Sequence, residues 1–361
     1  MVAFMPRAFP QLDHPIVQAP LAGGPSTPEL AAAVSAAGGL GFLAAGYKSP
    51  GDLAGDITRT REMTSAPVGV NLFLLAETPV DHARLAAYAK AIEVDAHRHH
   101  VALGEPHFDD DGFHAKLEVV CSQRPPIASF TFGCPAPEVV QRLHELDIAV
   151  WVTVTEVDEA LLATQAGADA LVVQGVEAGG HRGCFEDADG RGEVALLPLL
   201  RLVARACDLP LIASGGIADG AGVAAVLAAG ARAAQMGTAF MRCPEAATSD
   251  PHRDALSAPT PTAITRAFSG RRARGIVNAF MRDHDDQALS AYPHVNQLTA
   301  PLRAAARAAG DAGAINLWAG QAHALAEDRP AGELVRRLSA EARAAIERAR
   351  SGLTAPGEHP V

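Results

Sequence analysis

The chain has 361 residues, 48% of them hydrophobic and 20% charged, an ordinary balance for a globular protein long enough for one large α/β domain or a barrel with insertions. A formal net charge of -11 argues against the basic face a nucleic-acid partner needs and against attraction to anionic membranes. Five dispersed cysteines form no CxxC pair, and the first twenty residues are broken by prolines and charges before an apolar leader could form. No apolar run is long enough to cross a bilayer, so the expectation is a cytoplasmic protein with reduced thiols.

Along the chain, short apolar or β-branched runs alternate with alanine- and leucine-rich segments. Eight runs read as strands: 16–19, 41–44, 68–72, 127–130, 149–154, 170–173, 211–214 and 233–236. Helical segments such as PELAAAVSAAG and EVDEALLATQAG open at an acid or proline and close at glycine, as helix ends do. Eight βα units in series predict a (β/α)8 TIM barrel over residues 1–241 rather than a doubly wound sheet. Residues 78–116 break the alternation and read as helices and a loop between the third and fourth strands. Residues 242–299, rich in Pro, Arg, Asp and His, read as an inserted, mainly helical segment able to cover the C-terminal mouth. From residue 300 onwards helical patterning returns and is expected to pack back on the barrel.

Barrel active sites lie at the C-terminal ends of the strands, with phosphates frequently bound after strands seven and eight. Gly215 and Gly216 follow the seventh run, and Gly237 and Thr238 follow the eighth. Small residues there let backbone N–H groups approach an anion near a helix N-terminus, although two tight turns would need glycine for geometry alone. Asn71 and Gln174 place amides at two other strand ends, where they suit a planar heterocycle. His181 sits in VVQGVEAGGHRG, a loop too rich in glycine to pack a core side chain, and is the candidate catalytic group. The GxGxxA match at 39–44 follows a helix and opens a strand, the reverse of a dinucleotide fingerprint. His97, His99 and His100 lack partners at ligand spacing, so no metal site is expected. The arginines at 266, 271, 272 and 274 read either as attraction for an anionic substrate or as a solvated basic face.

The segments QAPLAGGPSTPELAAAVSAAGGLGFLAAGY, GVNLF, SFTFG, VVQGVEAGGHRG, LIASGGIADG, QMGTAF and INLWAGQ together resemble the nitronate monooxygenases, formerly called 2-nitropropane dioxygenases, over most of the chain. The resemblance implies an FMN-dependent barrel that oxidises a nitronate with dioxygen to a carbonyl compound and nitrite. It implies FMN contacts at Pro20, Leu21, Ala22, Asn71, Gln174, Gly179, Gly180, Gly215, Gly216, Gln235, Met236, Gly237 and Thr238, with His181 facing substrate and Tyr292 near it. The expected partners are the nitronate and dioxygen, with a homodimer as the assembly allowed. Family members place further tyrosines and a lysine in the segment matching AYPHVNQLTAPLR, where this chain keeps Tyr292 but has Asn296 and Ala300. The alternative is an FMN-dependent NAD(P)H reductase of an enoyl thioester or quinone, since related reductases carry a similar EAGGH loop.

Overall fold

The computed structural model describes residues 9–353. In chain order it forms β1 (Ile16–Gln18), α1 (Pro28–Ala36), β2 (Gly41–Ala44), α2 (Pro50–Met63), β3 (Val68–Phe73), α3 (His82–Arg98), α4 (Phe113–Gln123) and β4 (Ile127–Thr131). There follow α5 (Pro137–Glu145), β5 (Ala149–Val154), α6 (Val157–Ala166), β6 (Ala170–Gln174), β7 (Gly180–His181), α7 (Leu196–Ala206), β8 (Leu211–Ser214), α8 (Gly220–Ala228) and β9 (Ala233–Met236). The remainder carries α9 (Asp250–Ser257), β10 (Thr262–Thr265), β11 (Ala273–Ile276), α10 (Ala279–His284), α11 (His294–Ala308) and α12 (Ala331–Leu353).

The local chemistry explains several of these ends. Ser49 and Asp52 form a reciprocal capping box at α2, with Pro50 pre-set in the first turn. Thr27 caps α1 by accepting the Leu30 N–H, and Gly167 ends α6 at φ +95°.

Eight strands pair in parallel in the order β1-β9-β8-β6-β5-β4-β3-β2. The Gln18 N–H donates to Leu40 O (2.9 Å) and the Leu40 N–H to Ile16 O (3.0 Å), joining the two ends of the sheet into a closed barrel. This is the (β/α)8 fold, with all eight strands where the apolar runs lie.

Side chains alternate across each strand with a period of two. Val17, Phe42, Trp151, Val172 and Ile212 meet in one buried cluster inside the barrel. Gly69 leaves space for Phe42, whose ring atom would lie 2.2 Å from an added Cβ. Val150, Val152, Leu171 and Val173 belong to the larger cluster that also holds the inner faces of the helices. Two residues beyond the inner apolar layer, toward the C-terminal ends, the same strands present Thr153, Gln174 and Ser214, with Asn71 and Gln235 beside them. The barrel is therefore apolar at the bottom and polar at the top, and the polar layer floors a cavity.

After β9 the chain is not only helical. β10 and β11 form an antiparallel hairpin, and β11 also pairs with β7 in the register Ala273↔His181 and Arg274↔Gly180. The arginines of this segment are buried and spent on backbone carbonyls and on Asp187, a use that composition does not reveal. α11 runs straight through residues 299–300, so no break in the backbone separates the two segments expected there. Among the described residues no helix is long and apolar enough to cross a membrane.

Candidate active site

A cavity of ≈ 670 Å³ opens at the C-terminal end of the barrel. It is lined by Pro20, Leu21 and Ala22 after β1, Asn71 in β3, Gln174 in β6, and Gly179, Gly180 and His181 in the following loop. Gly215 and Gly216 after β8, and Gln235, Met236, Gly237 and Thr238 around the end of β9, complete its floor. Tyr292 stands behind the lining, its hydroxyl 3.0 Å from that of Tyr47.

The His181 imidazole is held through Nε2. Its Nε2 lies 2.9 Å from Ser269 Oγ, and that hydroxyl donates to Arg271 O at 3.1 Å. A hydroxyl has one hydrogen, so Ser269 accepts from the imidazole and His181 carries its proton on Nε2. Nδ1 is left with its lone pair and no protein donor among the described residues. Burial, with Arg271 and Arg303 nearby, lowers the His181 pKa to about 3, so the ring is neutral at physiological pH. A positive charge to hold an anion is therefore not supplied by His181.

Around this imidazole stand Phe132, Tyr292 and Trp318, with ring centroids at 5.9, 5.5 and 5.5 Å. Phe132 and Tyr47 occupy the left-handed backbone region, at φ 76° and 67°. Bulky side chains there store strain and need support. Phe132 receives it from the Arg271 guanidinium, 4.2 Å from the ring centroid. Tyr47 receives it from Asp111, which accepts the Tyr47 N–H at 2.8 Å. Asp111 is itself paired with Lys116 at 2.7 Å.

The loop bearing His181 is fixed by its neighbours rather than free. Gln174 accepts the Gly183 N–H (2.8 Å) and donates to His181 O (3.2 Å), so most of its amide serves the loop even though it lines the cavity. Arg182 is buried and donates to Gly192 O, Gly175 O and Gln174 O. At Gly179 an added Cβ would lie 2.5 Å from Ala319 C, so this glycine is required by the chain crossing over it. Arg271, Arg272 and Arg274 are neither a solvated face nor part of the cavity wall. Arg271 donates to Cys184 O, Arg272 pairs with Asp187 (2.8 Å), and Arg274 donates to Val176 O (2.9 Å). Arg266, less buried, bridges Asp187 and Asp189.

Several polar groups facing the cavity lack protein partners. Asn71 donates through its amide nitrogen to Ser129 and Thr131 hydroxyls, leaving Oδ1 without a donor among the described residues. The side chains of Gln235 and Ser214 are buried yet make no hydrogen bond to described residues. Backbone N–H groups of Gly216, Gly237 and Thr238 likewise find no acceptor there. The N-terminus of α8 is different: Asp219 accepts the Gly222 N–H and Glu341 the Gly220 N–H. Two of the first N–H groups of that helix are thus already taken, while the two glycine loops offer free donors for an anion. Buried polar groups are normally satisfied, so this set fits a bound molecule rich in hydrogen-bonding atoms.

The model for the family described as nitronate monooxygenase matches residues 9–341. This chain belongs to the nitronate monooxygenase family. It is 40% identical over 348 residues to the nitronate monooxygenase of Paraburkholderia phytofirmans, covering 94% of this chain and 95% of that one. Identity to the Pseudomonas aeruginosa nitronate monooxygenase is 41% over 346 residues, covering 92% and 97%. Among solved structures, nitroalkane oxidase from Streptomyces ansochromogenes superposes with a TM-score of 0.91 at 46% identity, covering 95% of this chain and 99% of that one. FabK from Thermotoga maritima superposes at 0.75 with 28% identity, covering 95% and 96%. Within the family frame, Tyr47, Phe73, Phe132, Ser269, Trp318 and Arg303 are site residues that the sequence did not single out. Tyr47, Phe73, Phe132 and Trp318 lie in the shared segments, and Arg303 ends the AYPHVNQLTAPLR segment, but nothing in those segments marked these residues out.

Proposed function

We propose that the chain is an FMN-dependent nitronate monooxygenase, oxidising alkyl nitronates such as propionate 3-nitronate with dioxygen to a carbonyl compound and nitrite. The observation that carries this reading is a neutral His181 with its Nδ1 lone pair free, set in the same cavity as the unpartnered groups of Asn71, Ser214 and Gln235. Those groups, with the N–H groups of Gly216, Gly237 and Thr238 for the phosphate, fit FMN, which would supply the electron-accepting, oxygen-reactive ring that no side chain offers. Pro20, Leu21 and Ala22 supply apolar wall, and Gly179 and Gly180 line the cavity without side chains.

A nitronate needs no proton removed, so His181 positions it by its ring and neighbouring aromatics keep water out. For a neutral nitroalkane the same Nδ1 is the general base, taking the α-proton while Ser269 holds Nε2–H. Purified protein loaded with FMN is expected to consume oxygen and release nitrite from propyl-1-nitronate or propionate 3-nitronate without NAD(P)H. No nitrite above a flavin-only control would sink this reading.

A second reading is a flavin-dependent NAD(P)H reductase, favoured by the likeness to FabK over 95% of this chain. Anaerobic mixing with NADPH or NADH separates them: bleaching of the flavin within seconds supports the reductase, and an unchanged visible spectrum counts against it.

A further inference from the structure

Two cations, Arg303 and Arg307, face the cavity without a counter-ion among the described residues, and Arg307 is the exposed one of the two. Asn296, Ala300, Arg303 and Arg307 follow one face of α11 at helical spacing, and all four line the cavity. Ala300 offers only a methyl group, so Arg303 is the first cationic side chain on that face to reach the space. Its Nε donates to Thr299 Oγ1 (3.0 Å), and its Nη2 donates to Asn296 O (2.7 Å) and Asn296 Oδ1 (2.8 Å). The Nη1 has a single long contact, 3.5 Å to Asn316 Oδ1, which leaves one N–H without a partner among the described residues. No carboxylate of the described residues pairs with this guanidinium; the charged and phenolic groups acting on it are Tyr47, Arg307 and Tyr292. Burial lowers its pKa only to about 10, so it stays cationic at neutral pH. The other arginines near His181 are already committed to carbonyls and carboxylates.

We propose that Arg303 is the anion-binding residue of this cavity, giving its free Nη1–H to an oxygen of a compact oxyanion, and that it sets a preference for the nitronate over the neutral nitroalkane. The inference rests on the nitronate reading for the identity of the substrate, but not for the charge it binds. His181, being neutral, supplies orientation and no charge. Asn296, Thr299 and Asn316 hold the guanidinium in place, so little ordering is left to be done on binding. A lysine at this position would keep the charge but lose the fork that Asn296 and Thr299 grip.

The test uses the FMN-loaded full chain, its Arg303→Met and Arg303→Lys variants, and nitrite as the probe anion. Nitrite affinity is read from perturbation of the visible flavin spectrum, without turnover. Removing one charge-assisted donor is expected to weaken nitrite binding and raise KM for propyl-1-nitronate by roughly 10- to 100-fold in R303M, with kcat changed far less. R303K is expected to fall between the two, and His181→Asn to keep nitrite affinity within about threefold of the parent. If R303M binds nitrite as the parent does, or if the parent does not bind it at all, the proposal is overturned. Should R303M lose its FMN, R303K carries the comparison: nitrite affinity and nitronate KM must move together, and movement of one alone overturns it. Nitrite binding that depends on Arg303 in a protein that releases no nitrite from nitronates would sink the proposed activity while leaving the anion site standing. Turnover of nitronates with no Arg303 effect gives the opposite outcome.

Discussion

At the scale of single residues, the behaviour of His181 depends on one hydroxyl. Ser269 donates to Arg271 O and so must accept from His181 Nε2, which fixes the tautomer that leaves the Nδ1 lone pair free. Ser269→Ala removes that constraint and is expected to lower kcat/KM for a neutral nitroalkane about tenfold, the size of one hydrogen bond, while nitronate oxidation changes less. Equal losses on both substrates, measured by oxygen uptake, would mean that Ser269 supports the loop rather than the base. A second consequence concerns stability. The His181 pKa is lowered to about 3 in the folded chain, whereas an unfolded histidine titrates near 6.5. Between those values the unfolded state binds the extra proton, so this group's contribution to stability is full above pH 6.5 and is lost as pH falls toward 3. Relative to His181→Asn, the parent should lose up to about 1.4 kcal/mol per pH unit across that window, by urea unfolding at several pH values. A difference that does not vary with pH would contradict a neutral, buried imidazole. The histidine itself was legible from its glycine-rich loop after the sixth strand; Ser269, 88 residues later, was not, because a serine in a turn carries no local mark of what it accepts.

At the scale of elements, the loop after β6 is built as a brace. Arg182 has three carbonyl acceptors, and its pKa is lowered to about 10 by burial, so it remains charged there. Replacing it with methionine leaves those carbonyls without their donor in a closed site. Arg182→Met is therefore expected to cost about 3 kcal/mol and to loosen the His181 loop, seen as a lower unfolding midpoint and faster amide exchange over residues 175–193. Unchanged exchange in a correctly folded variant would place the loop's rigidity elsewhere. The barrel strands were readable because apolar, β-branched runs recur between helices with glycine ends. The β10–β11 hairpin was not. TAIT and ARGI are too short and polar to stand out, and β7 consists of a glycine and the histidine alone. There Arg271, Arg272 and Arg274 find carbonyls and Asp187 across the loop, which only the folded chain supplies. The aromatic wall was missed for a similar reason: Tyr47 and Phe132 hold left-handed backbone that the sequence does not announce.

At the scale of the whole molecule, the cavity is shared between two parts that are distant along the chain. Leu85, Tyr88 and Ile92 of α3 pack with Phe268, Phe280, Leu298 and Leu302 in a small core separate from that of the barrel. The Tyr88 hydroxyl donates to Ala267 O (2.6 Å), and His284 meets Asp95 at 2.6 Å, both buried. α3 and the segment around α10 and α11 thus form one cap, although nearly two hundred residues separate them in sequence. The cap reaches the barrel through the β7–β11 pairing and through the Arg303 face of α11, so a molecule filling the cavity touches both parts. FMN at 100 times its Kd should then stabilise the chain by about 2.7 kcal/mol and raise Tm by roughly 4 °C. No residue of α3 lines the cavity, which makes that helix a remote reporter. If barrel and cap unfold as one unit, FMN slows amide exchange in α3 as well as in the glycine loops. Protection confined to residues 214–216 and 235–238 would show instead that the cap opens on its own. In that case access of substrate to His181 would be governed by the cap alone.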